Sequence, residues 1–248
     1  MNKIDHIVIN VDDKYQKDKK MIDMIQQNGF PYAPKKGKRT KGFKISNLWI
    51  GKEYLELVNI TQKDGGGWKK DWTELYNRGT RGAICLMIDV SDIDSVHQSL
   101  LDKAFDVQTP ERIEYKLFGL LKISSLWRNM YLPYFEKEAF QIGFQQLDNE
   151  DISEKFQKKM IPNSISHKIM GMTKIIINGK WTELDYNMIE NTFRNTQKEG
   201  NALKIKLNNG SDIIFVENND FSLYVEMDNH SLQSKSITKI ENVYLVNN

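Results

Sequence analysis

Short β-branched runs separated by polar stretches recur along the chain and predict strands. The first is Ile4–Val11, IDHIVINV. Asp12 and Asp13 can cap a following helix, for which Tyr15, Met21, Ile22 and Ile25 supply an apolar stripe. Asn28-Gly29 stops that helix, because either residue tolerates left-handed backbone. After a basic loop from Lys35 to Lys41, Phe43–Ile50 and Tyr54–Ile60 read as strands joined by a tight turn at Gly51-Lys52. The pattern then restarts. Ala83–Val90 is a strand, Ser91 and Asp94 form a capping signal, and Ile93, Val96, Leu100, Leu101 and Ala104 line one helix face. Leu117–Leu126, Met130–Phe135 and Phe140–Leu147 are further strands. A third start comes at Met172–Ile177, with Thr182 and Asp185 as its capping pair and Leu184, Met188, Ile189 and Phe193 as its buried stripe. Asn209-Gly210 is expected to turn a hairpin between Ala202–Leu207 and Asp212–Val216. Ser222–Met227 and Val243–Val246 finish the chain.

The order of strand, capped helix and strands thus begins near residues 4, 83 and 172. It predicts an α+β fold of repeated β-α-β-β-β modules whose curved mixed sheets surround a groove. Each such unit covers one sheet face with its helix and leaves the other open. Residues 1–147 are expected to form a paired-module domain. The polar stretch 148–168, broken at Pro162-Asn163, reads as a linker, and 169–248 as a third, degenerate module. Residues 61–80 are polar and Gly-rich, and read either as a loop or short helix over a cleft or as a surface connection. Gly65-Gly66-Gly67 gives them freedom to move.

Polar residues inside apolar strands carry the chemistry. His6 interrupts the first strand and Glu56 interrupts YLELVNI, and a carboxylate between leucines is costly to bury alone. Counting back equally from Val11 and Val90 matches His6 with Cys85; His6 and Glu56 lie 50 residues apart, Cys85 and Glu136 lie 51 apart. His6, Glu56, Cys85 and Glu136 are therefore the expected metal ligands, suited to zinc, iron or manganese. Glu56 or Glu136 is the expected proton-transfer base. Cys85 also reads as a small buried hydrophobe, and Glu136-Lys137-Glu138 as a solvated turn. Trp49, Trp68, Trp72, Trp127, Tyr134 and Phe135 either wall an apolar pocket or fill a core. His97, His167 and His230 lie outside this frame.

Composition narrows the classes. The 248 residues are 40% apolar and 27% charged, enough for one large core or two modest ones. Thirty-five basic against 33 acidic residues leave +2, which gives no sign of a nucleic-acid partner. One cysteine excludes an internal disulfide framework and a multi-cysteine zinc site. No apolar stretch approaches the ~18 residues of a membrane span, and no apolar signal segment precedes the first strand. A cytoplasmic protein with no membrane partner is expected. No phosphate-binding loop, dinucleotide fingerprint or nucleophile-base-acid set is present.

Several segments together resemble the vicinal oxygen chelate superfamily of glyoxalase I, ring-cleaving dioxygenases and antibiotic-resistance proteins, and more narrowly the glyoxalase-like-domain proteins. Asp5–Val11 is similar to the opening strand, Tyr54-Leu55-Glu56-Leu57 to the end strand of the first module, and Asp89–Ser95 to the entry of the second helix. Leu132-Pro133-Tyr134-Phe135 resembles a proline-aromatic-aromatic strand of the narrower family, although Lys137 stands where a tryptophan is usual. The likeness covers about residues 1–147. It implies paired modules around a metal, with His6 and Glu56 at the first two ligand positions, Cys85 where histidine is common, and Glu136 at the final carboxylate. It implies a metal-dependent lyase, isomerase or dioxygenase acting on a small oxygenated substrate. The alternative is a metal-free protein that binds or sequesters a small molecule. A homodimer is the expected assembly.

Overall fold

The computed structural model describes residues 2–117, 121–230 and 236–247. The first half runs β1 (Lys3–Asn10), α1 (Lys14–Lys17), α2 (Lys19–Gln27), β2 (Phe43–Ile50), β3 (Glu53–Ile60), α3 (Lys70–Asn77), β4 (Gly82–Asp89), α4 (Ile93–Leu101), β5 (Glu111–Leu117), β6 (Leu121–Tyr131) and β7 (Gln141–Leu147). After α5 (Glu150–Gln157), the second half runs β8 (Ile169–Gly179), α6 (Glu183–Thr192), β9 (Thr196–Glu199), β10 (Ala202–Lys206), β11 (Asp212–Glu217), β12 (Ser222–Asn229), β13 (Ser236–Ile240) and β14 (Val243–Asn247). Among these residues no helix is long and apolar enough to cross a membrane.

The two halves make seven-stranded sheets with matching layouts, β2-β3-β1-β4-β7-β6-β5 and β13-β14-β12-β8-β11-β10-β9. In each, a four-strand group and a three-strand group meet through an antiparallel central pair, β1 with β4 and β12 with β8. Within a group the first and last strands run parallel. The fold is therefore α+β, with curved sheets built from β-α-β-β-β-like repeats.

Only the second and third modules are complete. The first has two strands after its helix, because Lys35–Lys41, with Pro34 before it and Gly37 within it, is too charged and irregular for a half-buried strand. The C-terminal region holds a full module, β8 to β11, plus three more strands of which the apolar pattern had revealed two; β13 (SITKI) alternates weakly. The stretch 148–168 contains α5, capped by Asn149 accepting from the Ile152 amide at 3.1 Å. Of the expected strand Leu117–Leu126, residues 118–120 lie outside the described residues. Leu117 is the last residue of β5, whereas 121–126 belong to β6, which ends at Tyr131, and Pro133 lacks the amide to extend the ladder. β5, ERIEYKL, was hidden by its charges.

Helix caps follow local chemistry. Thr182 and Asp185 form a reciprocal capping box on α6. At α4 the cap is Asp92 rather than Ser91, accepting from the Ser95 amide at 3.0 Å. The first helix is split at Asp18, which caps α2 instead of Asp12 or Asp13.

One face of each sheet packs toward the other. Ile7, Leu55, Leu86, Ile175, Phe215 and Val225 belong to one continuous core, joined by Ile25 of α2, Leu100 of α4 and Ile189 of α6. The β2–β3 turn locks onto β8: Glu53 Oε2 accepts from the Met172 amide at 3.2 Å, and Gly51 sits with φ +59° against the Met170 carbonyl.

Candidate functional site

The first sheet's other face lines a cavity of about 680 Å³. Its floor is set by strand register. Asn47, Glu56, Val8 and Cys85 stand in one cross-strand row, and Trp49, Tyr54, His6, Met87 and Gly143 stand in the next. Alternation along β2 aims Phe43, Ile45, Asn47 and Trp49 at the cavity. A register shift between Ile4 and His6 puts Asp5 beside His6, and Asp5 Oδ2 meets His6 Nδ1 at 2.5 Å. Gln145 also donates to that carboxylate, at 3.3 Å. The imidazole stacks on Tyr54 with centroids 4.5 Å apart.

Aromatic rings enclose the space. Trp68 packs on Phe43 at 4.8 Å and on Trp72 at 5.8 Å; Trp72 meets the edge of Tyr131 at 5.5 Å. Trp49 leans on Tyr54, and Trp127 meets Phe156 of α5. Within the glycine run before Trp68, Gly66 is tightly placed, with φ +53° and no room for a Cβ, which would lie 2.6 Å from Gly42 Cα. That turn seats Trp68 ahead of α3.

Most polar groups around the rings are satisfied. With its amide turned to suit both neighbours, Gln141 accepts from Trp72 Nε1 at 2.6 Å and donates to the Leu132 carbonyl at 3.1 Å. Tyr134 donates to Asp71 at 3.0 Å, and Asp71 pairs with Lys69. Three buried polar atoms of the lining have no partner: Asn47 Oδ1, Asn129 Oδ1 and Trp68 Nε1. Burial lifts the Glu56 carboxyl above its ordinary range; His6 and Lys38 pull it back, and Asp5 pushes it further up.

The expected site residues divide sharply. His6, Glu56, Trp49, Trp68, Trp72 and Trp127 all line the cavity. Cys85 faces the same side but lies beneath the lining, fully buried, with its Sγ 3.5 Å from Met87 Sδ. Glu136 is exposed in the turn before β7, where its amide donates to Asp185 of α6 at 3.1 Å. The register explains this placement. Cys85 pairs with Gln141 as His6 pairs with Tyr54, so the counterpart of Glu56 is Gly143, which has no side chain to offer. A Cβ at Gly143 would strike Met87 Sδ at 2.4 Å. Phe135 belongs to the core between the sheets, against Trp181 and Phe215, and Tyr134 lies outside the lining.

A metal held by His6, Glu56, Cys85 and Glu136 does not fit this arrangement. Only two of the four, His6 and Glu56, line the cavity. Among the described residues no three His, Cys, Asp or Glu side chains group as a metal site. Sequence reading missed Asn47, Asn129 and Asp5. Strand parity could have found Asn47, because it stands directly across from Glu56.

No protein-family model matches the chain, and no curated protein does. Among solved structures, a hypothetical protein from Staphylococcus aureus is similar over 98% of this chain and 97% of its own, with TM-score 0.72 and 14% identity. A hypothetical protein from Bacillus halodurans C-125 (TM-score 0.42, 16% identity) matches 60% of this chain and 96% of its own. Methylmalonyl-CoA epimerase from Mycobacterium tuberculosis (TM-score 0.42, 12% identity) matches 60% and 91%. The Staphylococcus aureus protein thus shares this chain's α+β fold, with curved sheets built from β-α-β-β-β-like repeats.

Proposed function

We propose that the chain binds a small organic molecule in the first-sheet cavity through its own side chains, without a metal ion. The observation that carries this reading is the cavity itself, about 680 Å³ walled by Phe43, Trp49, Tyr54, Trp68, Trp72 and Trp127, with His6 and Glu56 on its floor. On this reading residues 1–147 supply most of the binding site, Lys159 and Ile161 after α5 complete its lining, and the second sheet holds the β2–β3 turn in place through Met172 and Met170.

A second reading, catalysis, is favoured by one feature. Glu56 opens into the cavity with its carboxyl lifted by burial, as a proton-transfer base requires. In that case Glu56 takes a proton from the bound molecule, and the Asp5-held His6 stands across the floor.

Thermal-shift measurements on chelator-treated protein, across a panel of mono- and bicyclic aromatic compounds, test the binding proposal. Some compounds should raise the melting temperature equally with and without added zinc or manganese, and Trp127→Ala should weaken the effect. Protection seen only when metal is restored would contradict it.

A further inference from the structure

Two polar groups on the cavity floor lie within reach of a bound molecule. Glu56 stands between Asn47 of β2 and Val8 of β1. Neither of its carboxyl oxygens has a hydrogen-bond partner among the described residues, and neither is sealed beneath other atoms as Asn47 Oδ1 is, so both open to the cavity. His6, one cross-strand row away on the same face, is the second. Asp5 Oδ2 meets its Nδ1 at 2.5 Å and also accepts from Gln145, so the neutral imidazole keeps its proton on Nδ1 and turns the Nε2 lone pair to the cavity. Nε2 is likewise unpaired among the described residues and unsealed. Rings flank the Glu56 row on both sides: Trp49, Tyr54 and His6 on one, and Ile45 then Phe43, packed on Trp68, on the other.

Charge alone selects no ligand here. Lys38 and His6 favour the ionised form of Glu56, burial and Asp5 favour the neutral form, and Cys85 and Tyr131 stand near it. Of the other charged lining residues, Lys36, Lys159 and Glu111 are exposed, Arg112 pairs with Asp148, and Lys69 pairs with Asp71. The pattern of hydrogen-bonding groups is more selective. A carboxyl group can meet a ring nitrogen and the amino group beside it edge-on through two parallel hydrogen bonds. A single proton between carboxyl and ring nitrogen completes the pair, whichever of the two holds it. The amino group then has a second N–H to give, and His6 Nε2 is an acceptor on the neighbouring row.

We infer that the cavity takes a planar amino-substituted nitrogen heteroaromatic, whose ring nitrogen and adjacent amino group pair with the two Glu56 oxygens and whose second amino N–H goes to His6 Nε2. This inference rests on the binding reading above and adds the chemical class and orientation of what is bound. Asp5 is the positioning residue, because it fixes which imidazole nitrogen accepts.

Isothermal titration of the full chain with 2-aminoquinoline, 3-aminoquinoline and 2-methylquinoline tests it. The second compound moves the amino group away from the ring nitrogen, and the third replaces it by a methyl. 2-Aminoquinoline should bind about tenfold or more tightly than either. Glu56→Met should remove that advantage, and a melting temperature at or above the parent's shows that the variant is folded, since an unpaired carboxyl has left an apolar setting. His6→Phe keeps a ring on Tyr54 and loses the acceptor, so it should weaken 2-aminoquinoline about fivefold. Equal binding of the three compounds by the parent, any other order, or an advantage that survives in folded Glu56→Met overturns the assignment and leaves the binding proposal standing. Should Glu56→Met not fold, the parent's ranking and the His6→Phe loss decide, and the absence of either overturns it. If none of the three binds, the inference fails, and the aromatic panel of the thermal-shift experiment decides whether the binding proposal fails with it.

Discussion

Glu53 offers a quantitative test of how the two sheets are joined. Its side chain is only 8% exposed, and its Oε2 accepts from the Met172 amide at 3.2 Å. Loss of water drives its pKa from the ordinary 4.5 up to about 7; Asp5 adds to the rise, and the Met172 amide and Lys3 oppose it. The folded protein therefore holds this proton at pH values where the unfolded chain has released it. The resulting stability is fully present below about pH 4.5 and is lost as pH rises through 7. At 1.36 kcal/mol per pKa unit, the whole loss is about 3 kcal/mol. Glu53→Gln keeps an acceptor for Met172 and removes the titration. Urea unfolding of parent and variant from pH 4.5 to 8.5 should show the parent falling relative to the variant by about 3 kcal/mol, with most of the change before pH 7.5. Other buried carboxyls, such as Asp89 and Glu241, slope the same way in both proteins and cancel in the difference. Parallel curves would refute the placement of Glu53 in a dry junction between the sheets.

Three further outcomes follow from the packing. Cys85 is fully buried and its thiol is held well above the ordinary range by burial, so a thiol reagent should label it only at the rate of unfolding, and denaturant should speed labelling by orders of magnitude. Gly51→Ala places a Cβ 1.8 Å from the Met170 carbonyl at a backbone with φ +59°, and should cost about 2 kcal/mol or more in urea unfolding. Thr182→Ala removes one half of the α6 capping box and should cost about 1 kcal/mol, with little effect on ligand affinity.

How much of this was legible in the sequence depends on the kind of signal. β1, β3, β4 and β8 announce themselves because their inward positions are continuous β-branched or aliphatic residues. The module repeat is visible because each start, near residues 4, 83 and 172, joins an apolar strand to a helix-capping signal. His6 and Glu56 stood out as polar residues in apolar strands, and the parallel pairing of β1 with β3 does bring both to one face. Counting failed for Glu136 because loop length is not conserved between halves, whereas strand register is: the row that holds Glu56 passes through β7, which begins five residues after Glu136. The fourth strand group was missed because its β13 is short and half-polar. The lining amides Asn47 and Asn129 were passed over because an asparagine in a strand is ordinary until its neighbours are known. Only the three-dimensional arrangement shows that their oxygens have no partner.

Metal content compared across variants bears most directly on the claim that side chains alone make this site. Zinc, iron and manganese per chain should be measured by inductively coupled plasma mass spectrometry on protein purified without chelator, beside His6→Ala/Glu56→Ala. The account predicts far less than one equivalent in the parent and no fall in the variant. Close to one equivalent in the parent, lost on removing His6 and Glu56, would contradict it.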